Sequence, residues 1–240
     1  MTEMLFRQDA YARDAVGKVT GHTDEGGIIL NGTVFYPTSG GQPGDSGRLT
    51  WDGGEIEIAT AIKGESEDIV LVPAEPAALP AIGTEVQQRI VWDRRYAMMR
   101  MHTALHLLSV VIPLPVTGGA IGTEKSRLDF DMAEAPEDKE ALDVTLNRLI
   151  GCGFDVTEEW ITDAELDANP ALVKTMSVQP PRGSGQIRLV RIGVGANTAD
   201  LQPCGGTHVR NTAEIGRVRI GKIEKKGRQN RRVYLHLEGS

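Results

Sequence analysis

Two short stretches, almost a hundred residues apart, hold the side chains best suited to chemistry. Arg100-Met-His-Thr-Ala-Leu-His-Leu-Leu108 carries His102 and His106. Pro203-Cys-Gly-Gly-Thr-His-Val209 carries Cys204 and His208. On a helix the i, i+4 spacing of the first pair puts both imidazoles on one face, about one turn apart. The second pair flanks a Gly-Gly dipeptide that can bend so that thiolate and imidazole point the same way. Three imidazoles and one thiolate form a soft, four-ligand set that suits one zinc ion per chain. A single histidine on an amphipathic helix is usually packed or solvated. The i, i+4 pair together with a second Cys/His pair, in a chain of only two cysteines, shifts the reading to a metal. The separation excludes a zinc finger closing a small loop. The fold must join two remote elements, which favours a site in a cleft.

The elements that would position these residues can be read along the chain. Its 240 residues suffice for one large or two small domains. With 26 basic against 33 acidic residues the net charge is −7, which argues against a wholesale nucleic-acid coat and leaves room for a local basic patch. Two cysteines make no disulfide framework, and Cys152, between two glycines, reads as inert. The start has no apolar signal region and no run approaches membrane-spanning length, so the expected compartment is the cytoplasm, with no membrane partner.

Residues 1–92 read as all-β. Asn31-Gly32 predicts a two-residue hairpin turn between residues 28–30 and 33–36, and residues 52–54 a second between 48–51 and 55–59. Residues 69–72 and 85–92 add strands, and many short strands with Gly turns suggest a small barrel. By composition, residues 35–47 read as a flexible loop, and residues 72–80 as a rigid, proline-rich surface turn. The domain boundary falls near Trp92-Asp93. Asp93 is the expected N-cap of a helix running to about Ile112, with an apolar stripe of Ala97, Met101, Leu105, Leu108 and Ile112. His102 and His106 lie one position round from it, at the border of the core. Further on come a strand at 126–132, a helix at 136–150 with Pro136 at its first position, and a strand at 154–160. A capping box of Thr162 and Glu165 opens a short helix. A mobile loop at 176–185 and strands at 186–192, 214–223 and 231–237 complete the chain. The expected fold class is α+β: a small N-terminal β-barrel over 1–92, then a zinc-binding domain over 93–240 with two main helices on a mainly antiparallel sheet.

His102-Thr-Ala-Leu-His-Leu-Leu108 paired with Cys204-Gly-Gly-Thr-His-Val209 resembles the editing domain of alanyl-tRNA synthetase and its free-standing relatives, the AlaX proteins; threonyl-tRNA synthetases share the module more distantly. Gly122-Thr-Glu-Lys-Ser-Arg-Leu-Asp-Phe130, residues 204–216 and Asn230-Arg-Arg-Val233 match the same family in order. The glycine-rich stretch, in which Gly40, Gly41, Gln42 and Pro43 match closely while Thr38 and Ser39 stand at variable positions, points to the intermediate-length class. The expectation is of a module with no class II synthetase catalytic domain ahead of it and without the extra C-terminal domain of the long class.

The resemblance implies hydrolysis of the ester joining a wrong amino acid, typically serine, to tRNA(Ala), in the manner of a stand-alone editor. An alanine pocket rejects an isostere with one added hydroxyl only about 100-fold. A second site that hydrogen-bonds that hydroxyl would leave a buried partner unpaired with alanine, at roughly 1–3 kcal/mol. Thr38, then Gln42, are the residues expected to make this contact. Zinc either loses one ligand, such as His208, to water or substrate, or holds the site and orients the terminal adenosine. Expected tRNA contacts are Lys125 and Arg127, near the metal cleft by the resemblance, and the run Arg217, Arg219, Lys222, Lys225, Lys226, Arg228, Arg231 and Arg232, broken by a single acid, Glu224. A solvated, charge-edged hairpin is the plainer reading of that run. The sequence also admits a generic zinc esterase and a non-catalytic tRNA-binding module with structural zinc. A peptidase is disfavoured, because the His102/His106 pair lacks the glutamate of a metalloprotease helix. Monomer and homodimer are both open.

Overall fold

The computed structural model describes residues 1–176 and 185–238. Most of the loop expected at 176–185 lies outside the described residues. The chain forms two units, Met1–Tyr96 and Ala97–Ser240.

The first unit opens with a two-residue strand, β1 (Glu3–Met4), and one helical turn, α1 (Leu5–Gln8). The strands β2 (Asp14–His22), β3 (Ile28–Leu30), β4 (Gly32–Thr33), β5 (Gly47–Trp51), β6 (Gly54–Lys63), β7 (Ile69–Pro73) and β8 (Glu85–Ile90) follow. Six of them close an antiparallel barrel in the order β2-β3-β7-β6-β5-β8. Closure pairs every strand and leaves no sheet edge. The pleat explains the sequence pattern: in β8 exposed and buried residues alternate strictly, and in β6 Glu55, Glu57 and Ala59 face out while Ile56 and Ile58 turn inward. Val19, Leu30, Leu49, Leu71 and Val86 fill the interior with them.

The Asp52-Gly53 turn forms as expected, with Trp51 opposite Gly54 and Gly53 at φ 104°. The Asn31-Gly32 hairpin does not. Neither residue has a positive φ, and β4 pairs in parallel with β1 instead. Long-range partners outbid the turn: Asn31 exchanges bonds with Lys18, and Gln88 Nε2 donates to the Gly32 carbonyl. The two-residue turn lies nine residues later. Ser39 and Gln42 exchange both backbone bonds at 3.0 and 2.9 Å, around Gly40 and Gly41 at φ 57° and 83°. The glycine-rich stretch is thus built structure, and only residues without a Cβ take that turn cheaply.

The helix α2 (Trp92–Val111) begins in the first unit and continues in the second. It starts one residue before Asp93, which therefore sits in its first turn and is not its cap. Arg94 donates to the Gly44 carbonyl at 2.7 Å, and fully buried Arg95 is ion-paired with Asp45 and donates to the Val34 carbonyl at 2.7 Å, so both ends of the glycine-rich stretch are pinned. The predicted apolar stripe is too narrow: every residue from Met101 to Ser109 is buried. His102, Thr103, His106 and Ser109 are therefore taken out of water and need polar partners.

The second unit continues with β9 (Val116–Ala120), β10 (Lys125–Asp131), α3 (Lys139–Gly151), β11 (Val156–Ile161), α4 (Asp163–Ala168), β12 (Ile187–Ile192), β13 (Asp200–Pro203), β14 (Val218–Gly227) and β15 (Asn230–Leu237). The strands make two antiparallel sheets where one was expected, in the orders β14-β15-β10-β9 and β11-β12-β13. Two boundaries move. The α3 helix is capped by Asp138, which accepts from the Ala141 N–H, so Pro136 lies outside it. Glu214 belongs to a 3-10 turn, where it completes a capping box with Asn211. The Thr162–Glu165 capping box forms as predicted. Asp143 and Asn147 of α3 bond the backbone of Ile220 and Val218, satisfying the open edge of β14. The α+β class with a small barrel is the observed one.

Candidate metal centre

The two remote stretches meet. Ligating atoms of His102, His106, Cys204 and His208 all lie within 4.8 Å of one another. Cys204 Sγ stands 3.4 Å from His102 Nε2 and 3.2 Å from His208 Nε2. Ligands on a tetrahedral zinc are about 3.3–3.8 Å apart, given bonds of about 2.0–2.3 Å. The donor set suits a tetrahedral, borderline-soft ion, and the two Cys204 distances lie close to the short end of that range.

Local structure explains the convergence. The α2 helix supplies two imidazoles one turn apart, while β13 delivers the chain to Cys204. Thr103 clasps the two segments: its hydroxyl donates to the Met99 carbonyl and accepts from the Val209 N–H at 3.3 Å. Arg100 Nε donates to the Ile215 carbonyl at 2.9 Å. Arg188, on β12, donates through Nη1 to the carbonyls of Cys204 and Gly206 at 2.6 and 3.0 Å, and through Nη2 to Glu158. Neither Gly205 nor Gly206 uses a left-handed conformation, so the bend expected from the Gly-Gly pair needs no special φ. The Gly206 N–H donates toward Cys204 Sγ at 3.5 Å.

The electrostatics favour ligation at Cys204 and His208. Burial opposes a thiolate at Cys204, but the neighbouring histidines, His102 first, outweigh it and hold the thiol well below its usual value. Burial and the neighbouring His102 push His208 well down, keeping it neutral, as a ligand must be. His106 behaves differently. Burial opposes its charge, yet Asp200 and Cys204 raise it to about 9. The Asp200 carboxylate lies 2.9 Å from His106 Nδ1, and Lys174 is ion-paired with its other oxygen. Sequence reasoning missed Thr103, Lys174, Arg188, Asp200 and Gln202. Only Asp200 and Gln202 carried a local signal, being polar residues on a short strand beside the Cys/His pair.

Comparison with known proteins supplies the family. A family profile described as the threonyl and alanyl tRNA synthetase second additional domain matches residues 187–234, and one for class II (A) tRNA synthetases matches residues 8–94. An alanyl-tRNA editing protein AlaX-M of Methanosarcina acetivorans is 36% identical over 99% of both chains. One from Saccharolobus solfataricus is 34% identical over 99% of this chain and 100% of its own. The chain belongs to the AlaX-M family of alanyl-tRNA editing proteins. Its similarity extends to the alanine–tRNA ligase of Pyrobaculum neutrophilum, 33% identical over 93% of this chain and 25% of the ligase.

Against this AlaX-M background the other expected residues can be placed. In the first unit the Thr38 hydroxyl donates to the Ala61 carbonyl and accepts from the Gly44 N–H at 2.8 Å, leaving one lone pair. Gln42 is fully buried and Pro43 lies beside it in the glycine turn. In the second unit the basic run is largely neutralised. Glu224 takes both Lys222 and Lys226, at 3.0 and 2.9 Å, and is held at about 2 by them. Glu238 takes Arg217, and lies 3.7 Å from Arg219. Asp129 takes Arg127 and both arms of Arg232. Arg231 is a correction: it is 5% exposed, and its guanidinium binds the carbonyls of Ala133, Gly227 and Asn230, so it braces the hairpin and is closed to phosphate. Lys225 and Arg228 are exposed at the hairpin end, and Lys125 lies 3.8 Å over the Tyr234 ring. Among the described residues no helix is long and apolar enough to cross a membrane.

Proposed function

We propose that this chain is a trans-acting aminoacyl-tRNA hydrolase that deacylates mischarged tRNA(Ala), Ser-tRNA(Ala) above all, at a site holding one zinc ion. The observation that carries this reading is the convergence of His102, His106, Cys204 and His208 in a chain related to AlaX-M proteins over its full length. On this reading 1–92 is the barrel domain with the glycine-rich motif and 93–240 the editing domain. When bound, zinc supplies a Lewis acid that polarises an ester carbonyl, or a positive centre that orients the terminal adenosine. The chain itself holds the four donors in place and shields them from bulk water. Thr38, with one lone pair left, can accept a hydrogen bond from the serine hydroxyl, and Gln42 is the second residue proposed for that contact. Lys125, Lys225 and Arg228 are the cations best placed for phosphate; Arg127, Lys222, Lys226 and Arg232 would have to exchange a carboxylate for it.

A second reading, a tRNA-binding module with structural zinc, is favoured by the number of donors. Four protein ligands fill a tetrahedral ion, as in closed structural sites. One assay separates the two. Labelled serine released from Ser-tRNA(Ala) by the intact protein, and not by His102→Ala, supports the hydrolase. Binding without release supports the module. Unchanged serine-over-alanine selectivity in Thr38→Val removes Thr38 from the contact.

A further inference from the structure

Asp200 is buried, 2% exposed, on the short strand that leads into the Cys204 loop. Such a carboxylate is costly unless both oxygens are satisfied. They are: Oδ2 receives His106 Nδ1 at 2.9 Å and Gln202 Nε2 at 2.7 Å, and Oδ1 receives the Lys174 ammonium. Gln202 is steadied in turn by Ser109 Oγ at 3.4 Å, whose hydroxyl donates to the His106 carbonyl at 2.7 Å. The carboxylate ion-paired to lysine can only accept, so His106 Nδ1 must carry the hydrogen. In the neutral imidazole that a metal ligand must be, Nε2 is then the bare nitrogen. His208 has a weaker backing: its Nδ1 faces the Thr103 hydroxyl at 3.1 Å, a neutral group already committed to the Met99 carbonyl.

We propose that Asp200 is the positioning residue of the metal centre: it locks His106 in the tautomer that ligates through Nε2 and holds it more firmly than Thr103 holds His208, with Lys174 balancing the buried charge and Gln202 fixing the carboxylate plane. This rests on the metal reading above. A carboxylate behind a ligating imidazole fixes its orientation and raises its basicity, and its loss typically weakens metal binding about 10–100-fold.

Wild type and Asp200→Asn, both shown folded by circular dichroism, are titrated with zinc against a chromophoric chelator and loaded with cobalt for visible spectra. Asp200→Asn should bind zinc about 10–100-fold more weakly and shift the cobalt bands. A folded Asp200→Asn with wild-type affinity and spectrum makes Asp200 a mere structural ion pair and overturns the inference. If Asp200→Asn does not fold, nitrogen-15 spectra of zinc-loaded wild type decide: His106 protonated at Nδ1 and ligated at Nε2 upholds the inference, and the opposite tautomer refutes it. A wild type that takes up no zinc overturns the metal reading as well, which distinguishes that failure from this one.

Discussion

The Cys/His cluster and the basic hairpin β14–β15 are both regions of the second unit that stand out by residue type, yet they fold to opposite outcomes. In the cluster every residue singled out reaches the same few ångströms. In the hairpin most of the cations meet carboxylates, some from outside the run: Asp129 on the neighbouring β10, and Glu238 just past β15. A soft ligand set has no cheap alternative use when buried, so its pattern predicts convergence. A cation is satisfied by any carboxylate the register brings beside it, so counting charges along one segment overstates what is free.

The sharpest way to break this comparison is metal removal. If the four donors share an ion, chelation should lower the midpoint of thermal unfolding by roughly 8–16 °C, taking about 4 kcal/mol of ligand stabilisation at a thousandfold excess over Kd and about 2–4 °C per kcal/mol for a chain of this size. An identical melting curve with and without chelator would show four neighbouring side chains and no centre. Arg188→Ala comes next. It strips donors from the Cys204 and Gly206 carbonyls, and should cost about 2–4 kcal/mol in urea unfolding, with weakened zinc uptake. Arg231→Ala should destabilise by about 2–3 kcal/mol, because its buried carbonyl partners lose their donor. If Arg231→Ala instead leaves stability intact and weakens tRNA binding, the brace described above is really a phosphate contact. Lys225→Ala and Arg228→Ala should change stability by less than about 0.5 kcal/mol. Each should reduce the slope of log affinity for tRNA against log salt by about 0.7–0.9. Between these and Arg231→Ala in stability lies Arg232→Ala, which removes a partly exposed pair with Asp129 and should cost about 1 kcal/mol or less in urea unfolding.

Legibility follows the range of the interaction. The Asp52-Gly53 turn and the Thr162–Glu165 capping box were readable because their partners lie within a few residues. Asn31-Gly32 carried an equally good local signal and lost to Lys18 and Gln88, which no window around it contains. The α2 helix was legible as a helix but not as a buried one, since its stripe is amphipathic on paper and every side of it from Met101 to Ser109 is covered.

Residue type and spacing alone were enough to pick out the four side chains that converge, because few arrangements of thiolate and imidazole recur without a use. What only the folded chain decided is the support behind them. Asp200, Lys174, Arg188 and Thr103 are common residue types whose meaning comes from distance, and a carboxylate becomes a ligand's partner only when burial removes the water that would otherwise serve it.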